Sequence, residues 1–253
     1  MFFRMKNPGE GGRFGNQVIA YCYGQALAQR YNTYLEIPED SCLRKVFKID
    51  NPVISNQASI NTNFDACFED RYLDILRKFP INLIGYFQKQ EAIIYDSSWI
   101  KRNLQFQDWI VELFPKHIGP YYACHMRRGD YVNQPQRYCT ISDNSFYKKI
   151  NELDIKMGYI LTEENPIVNK YCESVGLGWL PDFMCMVNSE ILIRSNSTFS
   201  LVAGWFHSGS KIYAPLVEDK IGLCDVDFIE GNWPRCADSK YHPVTLTDMY
   251  LND

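Results

Sequence analysis

From Tyr121 to Pro215 short apolar runs alternate with longer segments of helical spacing, and that alternation constrains the fold more than any other feature of the 253 residues. Tyr121-Tyr122-Ala123-Cys124 reads as a buried strand. After it we expect a helix over 145–153, with Phe146, Ile150 and Leu153 on one face, and a strand over 158–162. Helices over 165–175 and 182–189, a strand over 191–194, a helix over 198–206 and a last short strand over 211–213 closed by Pro215 complete the pattern. Strands separated by helices of this length predict βαβ units, a parallel sheet and an α/β fold. In such sheets ligands gather outside the carboxyl ends of the strands.

The loop at the end of the Tyr121 strand reads His125-Met126-Arg127-Arg128-Gly129-Asp130-Tyr131. Two adjacent guanidiniums, with a glycine that lets the backbone come close, suit a phosphate better than a neutral ligand, so we expect this loop to hold a nucleotide diphosphate. Asn196-Ser197-Thr198-Phe199-Ser200 stands between a predicted strand and a predicted helix. Hydroxyls and N–H groups at that helix start suit a second face of the phosphate, although Ser and Thr there are equally simple N-caps. Asn196-Ser197-Thr198 is formally a glycosylation acceptor, read as coincidental at an interior turn. Arg128-Gly129-Asp130 spells an adhesion tripeptide, but a buried strand directly upstream argues against an exposed, mobile tip.

In the first half, glycines 9, 11, 12 and 15 suggest a tight loop, Asn16 stands where a helix cap would, and apolar residues from Val18 at spacings of three and four predict a helix to about Arg30. A glycine-rich loop feeding a helix start is an anion or sugar site, or merely a turn. A strand over 33–37 ends at Pro38, residues 38–80 read as irregular with one or two strands, 81–88 is strand-like, and a helix starts in 90–94. A helical linker over 99–114 leads to PKHIGP, whose Pro, Gly and Pro mark a domain boundary near 115–119.

A hydrophobic content of 46% with 22% charged residues describes an ordinary globular protein, and a net charge of -4 gives no whole-molecule attraction to nucleic acid or anionic membrane. Nine scattered cysteines without a C-x-x-C pair argue against structural zinc and against a full disulfide framework, and read as reduced core thiols. The N-terminal residues lack a signal-peptide core and no run of ~18 apolar residues occurs, so we expect a cytoplasmic protein with no transmembrane segment. Asp225-Val226-Asp227 is a pair that can grip a hard cation, yet it follows the end of the alternation and reads as a solvated loop. Glu163-Glu164 reads as a polar strand end, near enough to the sheet edge to touch a ribose or acceptor.

These segments together resemble the alpha-1,2-fucosyltransferases of glycosyltransferase family 11, within the alpha-1,2/alpha-1,6/protein-O-fucosyltransferase superfamily. GGRFGNQ at 11–17, GYFQ at 85–88, HMRRGDY at 125–131 and the block from Asp182 through Phe206 are similar to that family's motifs and occur in the same order. The chain departs from the pattern at Leu201-Val202, where two aromatics are usual, and at Thr162-Glu163-Glu164, where the family has an acidic pair after Phe-Ser.

The resemblance implies a GT-B architecture, two Rossmann-like domains facing across a cleft. Residues 1–115 would form the acceptor-side domain and 116–253 the nucleotide-sugar-binding domain. It implies GDP-fucose as donor, a glycan acceptor joined through an alpha-1,2 linkage to galactose, and no obligatory metal or other cofactor. By motif position Arg127 would bind the diphosphate, with His125 near the nucleotide. Asp182 would pair with guanine, Asn196, Ser197 and Thr198 would line the phosphate, and Arg13, Gly15 and Asn16 would reach the donor from the other domain. The implied reaction is a single inverting displacement in which an acceptor hydroxyl attacks C1 as GDP leaves. A fixed guanidinium would stabilise the departing phosphate. Asp130 and Glu10 are candidates for general base, Asp130 alternatively bracing the arginines, with Arg128 its structural partner. Alternatives are transfer from another GDP-hexose such as GDP-rhamnose and a catalytically silent GDP-sugar or glycan-binding module.

Overall fold

The computed structural model describes residues 2–5, 13–54, 60–63, 81–84, 97–116 and 119–232. Glu10, glycines 9, 11 and 12, GYFQ at 85–88 and the helix expected in 90–94 lie outside the described residues. The chain divides into two compact units between Val111 and Glu112.

The first unit contains β1 (Phe3–Met5), α1 (Phe14–Arg30), β2 (Leu35–Glu36), α2 (Cys42–Val46), β3 (Ile60–Asn63), β4 (Ile81–Ile84) and α3 (Ser97–Asn103), and α4 (Asp108–Leu113) straddles the division. Its strands pair in the order β2-β1-β4-β3, all parallel. α1 is buried on nearly every side. At Gly24 an added Cβ would stand 2.9 to 3.0 Å from the methyls of Leu35 and Leu83, so the bare backbone is what lets α1 close onto the sheet. α1 starts earlier than the apolar spacing indicates. Arg13 takes the cap position and its carbonyl accepts from the N–H groups of Asn16 (2.9 Å) and Gln17 (3.2 Å), so Asn16 sits inside the first turn rather than capping it. The expected single helix over 99–114 is two, because Phe106 leaves the helical path to bridge to Phe47, their rings 5.3 Å apart, and Gln107 Nε2 donates to the carbonyls of Arg44 and Phe47.

The second unit contains β5 (Tyr122–His125), α5 (Gly129–Asn133), β6 (Cys139–Ile141), α6 (Asp143–Asn151), β7 (Gly158–Leu161), α7 (Lys170–Ser174), α8 (Leu180–Asn188), β8 (Ile191–Ile193), α9 (Thr198–Phe206), β9 (Lys211–Pro215), β10 (Gly222–Cys224) and β11 (Phe228–Glu230). The main sheet runs β11-β9-β8-β5-β7, parallel except for β11, which is antiparallel to β9. The expected parallel α/β sheet is therefore present, but β9 is not the last strand. β10 pairs in parallel with β6, and β11 extends the edge. The helix expected over 165–175 shrinks to α7. Pro166 disfavours a helical residue before it, and Asn169 caps α7 by accepting from Cys172 N–H at 3.1 Å.

Cys124, Met126, Cys139, Ile141, Phe146, Leu153, Ile191, Ile193, Val217 and Val226 form the core between the main sheet and its flanking elements. Among the described residues the cysteines are free thiols, and burial pushes Cys139 up to about 11 and Cys22 up to about 12, which makes them poor nucleophiles. Asp225 and Asp227 are exposed in the β10–β11 connection. Among the described residues no helix is long and apolar enough to cross a membrane. What positions the site is the winding of the main sheet. From β5 the chain reaches β7 on one side and β8, then β9, on the other, so the direction reverses between β5 and β8. That reversal opens a crevice at the carboxyl ends of those two strands.

Candidate functional site

The loops that leave β5, β7 and β8 emerge on one edge because the three strands are parallel. Met126 N–H donates to Leu161 O at 2.9 Å, which carries the β5–β7 pairing one residue past His125 and fixes where the arginines begin. Arg127 is 9% exposed, and its Cζ lies 5.3 Å from the centroid of the Tyr131 ring, which itself stacks on Tyr138 at 4.4 Å. One end of its guanidinium donates to Glu163 and the other to Asp130. Asp130 lies in the first turn of α5, three residues after Arg127. Glu163 comes from the turn after β7, and its second oxygen accepts from Arg128 N–H at 3.0 Å.

Gly129 makes this closeness tolerable. Its φ is +41°, and a Cβ there would stand 3.3 Å from Glu163 Oε1. The pairing differs from the sequence expectation. Asp130 holds Arg127 rather than Arg128, while Arg128 reaches outward to Asp143 at the start of α6 and lies 5.7 Å from the Phe146 ring.

Across the crevice, β8 ends in Arg194-Ser195-Asn196-Ser197, all buried, before α9 begins. Ser197 is the N-cap of α9, its Oγ accepting from Phe199 N–H at 3.3 Å, and Ser200 Oγ donates back to the carbonyls of Ser195 and Ser197 at 3.2 Å. Asn196 turns inward and donates to Cys139 O at 3.0 Å, so β6 braces the turn and the amide is not presented to solvent. Thr198 is the first residue of α9 and half-buried. A helix of nine residues begins there, so N–H groups and its dipole point toward the same edge as Arg127.

His125 joins the two strand ends. Its Nδ1 lies 2.9 Å from Ser195 Oγ, and its ring tilts against Phe199 at 5.6 Å. Burial, reinforced by the charges of Arg127, Arg128 and Arg194, pushes His125 down to about 3, so the imidazole is neutral through the physiological range. It serves as a neutral hydrogen-bonding group and not as an acid. Arg194 is wholly buried and donates to Asn232 at 2.7 Å, a structural cation behind the turn.

Asp182, in the first turn of α8, accepts from Ile167 N–H at 2.8 Å, its one hydrogen bond among the described residues. Burial pushes its carboxyl up to about 6, the Ile167 bond pulls it back, and Glu163 adds to the rise. A buried carboxylate with one oxygen unused is suited to an edge bearing two adjacent N–H donors. Half-buried Trp179 packs edge-on against Phe199 at 5.9 Å and against Phe183 at 6.2 Å, and so extends an aromatic wall from the His125 ring toward α8.

The second unit thus brings together His125, Arg127, Asp130 and the Asn196-Ser197-Thr198 turn, with Asp182 on the neighbouring helix start. Arg13, Gly15 and Asn16 stand at the first turn of α1 in the first unit, Arg13 exposed and Gly15 buried. Ser195, which precedes the Asn196-Ser197-Thr198 motif, has no signal in the sequence. Glu163, expected as a strand end within reach of a ribose or acceptor, is instead the partner of Arg127, and a carboxylate one strand over from an arginine loop is the signal that marks it.

No protein-family model matches the chain, and no curated protein sequence does. Solved structures do. NodZ alpha-1,6-fucosyltransferase soaked with GDP-fucose superposes with a TM-score of 0.55 at 15% identity, covering 91% of this chain and 99% of that one. POFUT1 in complex with GDP-fucose gives 0.53 at 11% identity, covering 89% and 97%. Fucosyltransferase NodZ from Bradyrhizobium gives 0.52 at 15% identity, covering 90% and 98%. At these identities the shared property is the fold.

Proposed function

We propose that the chain is a GDP-fucose-dependent fucosyltransferase whose donor lies at the β5–β8 crevice. The observation that carries the reading is the arrangement at that crevice: Arg127 and the capped Ser197 turn stand at two strand ends joined by the His125–Ser195 bond. The fold shared with GDP-fucose-bound fucosyltransferases supports it. In this reading the diphosphate lies between Arg127 and the N-terminus of α9, Asp182 takes the N1–H and N2–H of guanine, and neutral His125 accepts or donates without competing for the charge. As the bond from C1 to the β-phosphate oxygen breaks, charge grows on that oxygen, and a held guanidinium with helix N–H groups stabilises it without a metal. The acceptor hydroxyl attacks the opposite face of C1, inverting it. Asp130, bound to Arg127, is more useful as its brace than as the base, and Glu10 remains the other candidate.

The finer assignments follow the sequence resemblance. They are a GT-B arrangement of the two units, Arg13, Gly15 and Asn16 as donor contacts from the first, alpha-1,2 transfer to a galactoside, and a cytoplasmic setting that suits free thiols. The test is to incubate the protein with GDP-fucose, with and without chelator, and a panel of galactosides, and to measure GDP release and product linkage. Acceptor-dependent release with fucosylated product is expected, undiminished by chelator. Binding of GDP-fucose without release on every acceptor would replace the enzyme by a binding module. A thermal-shift preference for GDP-rhamnose would change the donor.

A further inference from the structure

We propose that Glu163 is the resident counter-anion of Arg127, a positioning residue that competes with the donor diphosphate and so keeps GDP exchangeable. The inference rests on the GDP-sugar reading above. Glu163 meets the guanidinium at one end while Asp130 meets the other, so the arginine is held in place by two anions. The two differ in kind. Asp130 is three residues from Arg127 along the same short segment, just past the Arg128 cap of α5. Glu163 arrives from the turn after the neighbouring strand, and at 30% exposure, close to the 36% of Asp130, its contact is open to solvent and solute.

A diphosphate entering here must share or replace the Glu163 contact, since the carboxylate and a phosphate offer the same guanidinium the same kind of oxygen. The same carboxylate also accepts from Arg128 N–H, so its displacement frees a backbone donor at the moment a phosphate arrives. Gly129 lets the carboxylate rest against the loop backbone. Glu163 therefore pre-orients Arg127 in the absence of phosphate and opposes tight retention of GDP after transfer. Its charge also bears on Asp182, which binds the other end of the same ligand in this reading.

The sign of one measurement separates this role from a merely structural one. GDP and inorganic pyrophosphate are titrated calorimetrically into the full chain and into Glu163→Gln, which keeps the side chain's size and one acceptor but removes the charge. Thermal midpoints check folding, and Glu163→Asp retains the anion. Competition predicts that Glu163→Gln binds both ligands about threefold to tenfold more tightly, with slower GDP dissociation, while Glu163→Asp stays near wild type. The acid limb of GDP binding also shifts to lower pH in Glu163→Gln, because Asp182 loses a neighbouring negative charge. Unchanged or weaker binding in folded Glu163→Gln, with wild type binding GDP, overturns the inference and leaves the proposed function standing. If wild type binds pyrophosphate but not GDP, the function falls and the pyrophosphate comparison alone decides the inference. If it binds neither, both fall.

Discussion

Two arginines, one in each unit, make carboxylate pairs with opposite consequences. Arg4 lies within β1, in register with Glu36 of β2, and Arg4 Nε donates to that carboxylate at 2.9 Å with both side chains under 10% exposed. Arg127 lies just past the end of β5, and its carboxylates are 36% and 30% exposed. The first pair lies in register between two parallel strands and ties them together. A pair beyond a strand end faces the edge where ligands arrive, so the same chemistry becomes exchangeable. In the proposed reading, position along the strand, more than the identity of the partners, separates the role of Arg4 from that of Arg127.

The largest expected effect breaks the first pair. Arg4→Met removes the Arg4–Glu36 ion pair from a buried site, and we expect a loss of about 3 to 5 kcal/mol in urea unfolding, largely recovered in Arg4→Met/Glu36→Leu. A small loss in the single variant would mean that the pair is not dry, and the contrast with Arg127 would fail. Next comes Arg127→Ala. Its carboxylates stay hydrated, so the thermal midpoint should hold, whereas transfer from GDP-fucose should drop by about 100-fold to 1000-fold in kcat. Near-normal turnover in folded protein would remove Arg127 from the chemistry.

How far these roles were legible follows from how local they are. The run from Tyr121 to Phe206 announced a parallel sheet because each strand is a short apolar run bounded by polar turns, and the bounds of α9 match the expected helix. β6 and β10 escaped notice because neither Cys139–Ile141 nor Gly222–Cys224 is long enough to show a period, and each is a strand only through the other. The arginine partners divide likewise. Asp130 stands three residues from Arg127 and two from Arg128, and the expectation from sequence pairs it with Arg128; the turn into α5 at Gly129 is what brings it to Arg127 instead. Glu163 and Asp143 meet the arginines only through tertiary packing, which no local spacing encodes.

A smaller effect tests the far end of the proposed ligand. Asp182 must be ionised to accept from guanine, and burial pushes it up to about 6. Its raised position means that folding favours the protonated form. Its contribution to stability is full below the ordinary carboxylate range and is lost as pH rises through 6. Ligand binding runs the other way, since guanine recruits the carboxylate. The KM for GDP-fucose should be flat above pH 7 and rise toward about tenfold per pH unit below 6, a limb absent in Asp182→Asn, whose affinity is low throughout. A limb that survives in Asp182→Asn would assign it to another group.

The smallest effect returns to the neutral half of the crevice. Ser197 Oγ caps α9 and carries no charge, so Ser197→Ala removes one hydrogen bond, that from Phe199 N–H, and should cost about 1 kcal/mol of stability. What it does to the ligand distinguishes the two readings of that motif. If the hydroxyl only caps, Gly at this position restores most of the stability and GDP affinity is unaltered in both variants. If it also donates to the diphosphate, GDP affinity falls about threefold to tenfold in Ala and Gly alike, and Thr rescues both properties because it keeps the hydroxyl. We expect the second pattern. Asn196 and Ser195 already spend their polar groups on Cys139 and His125, whereas the Ser197 hydroxyl proton is the one that its capping bond, accepted by Oγ, does not consume.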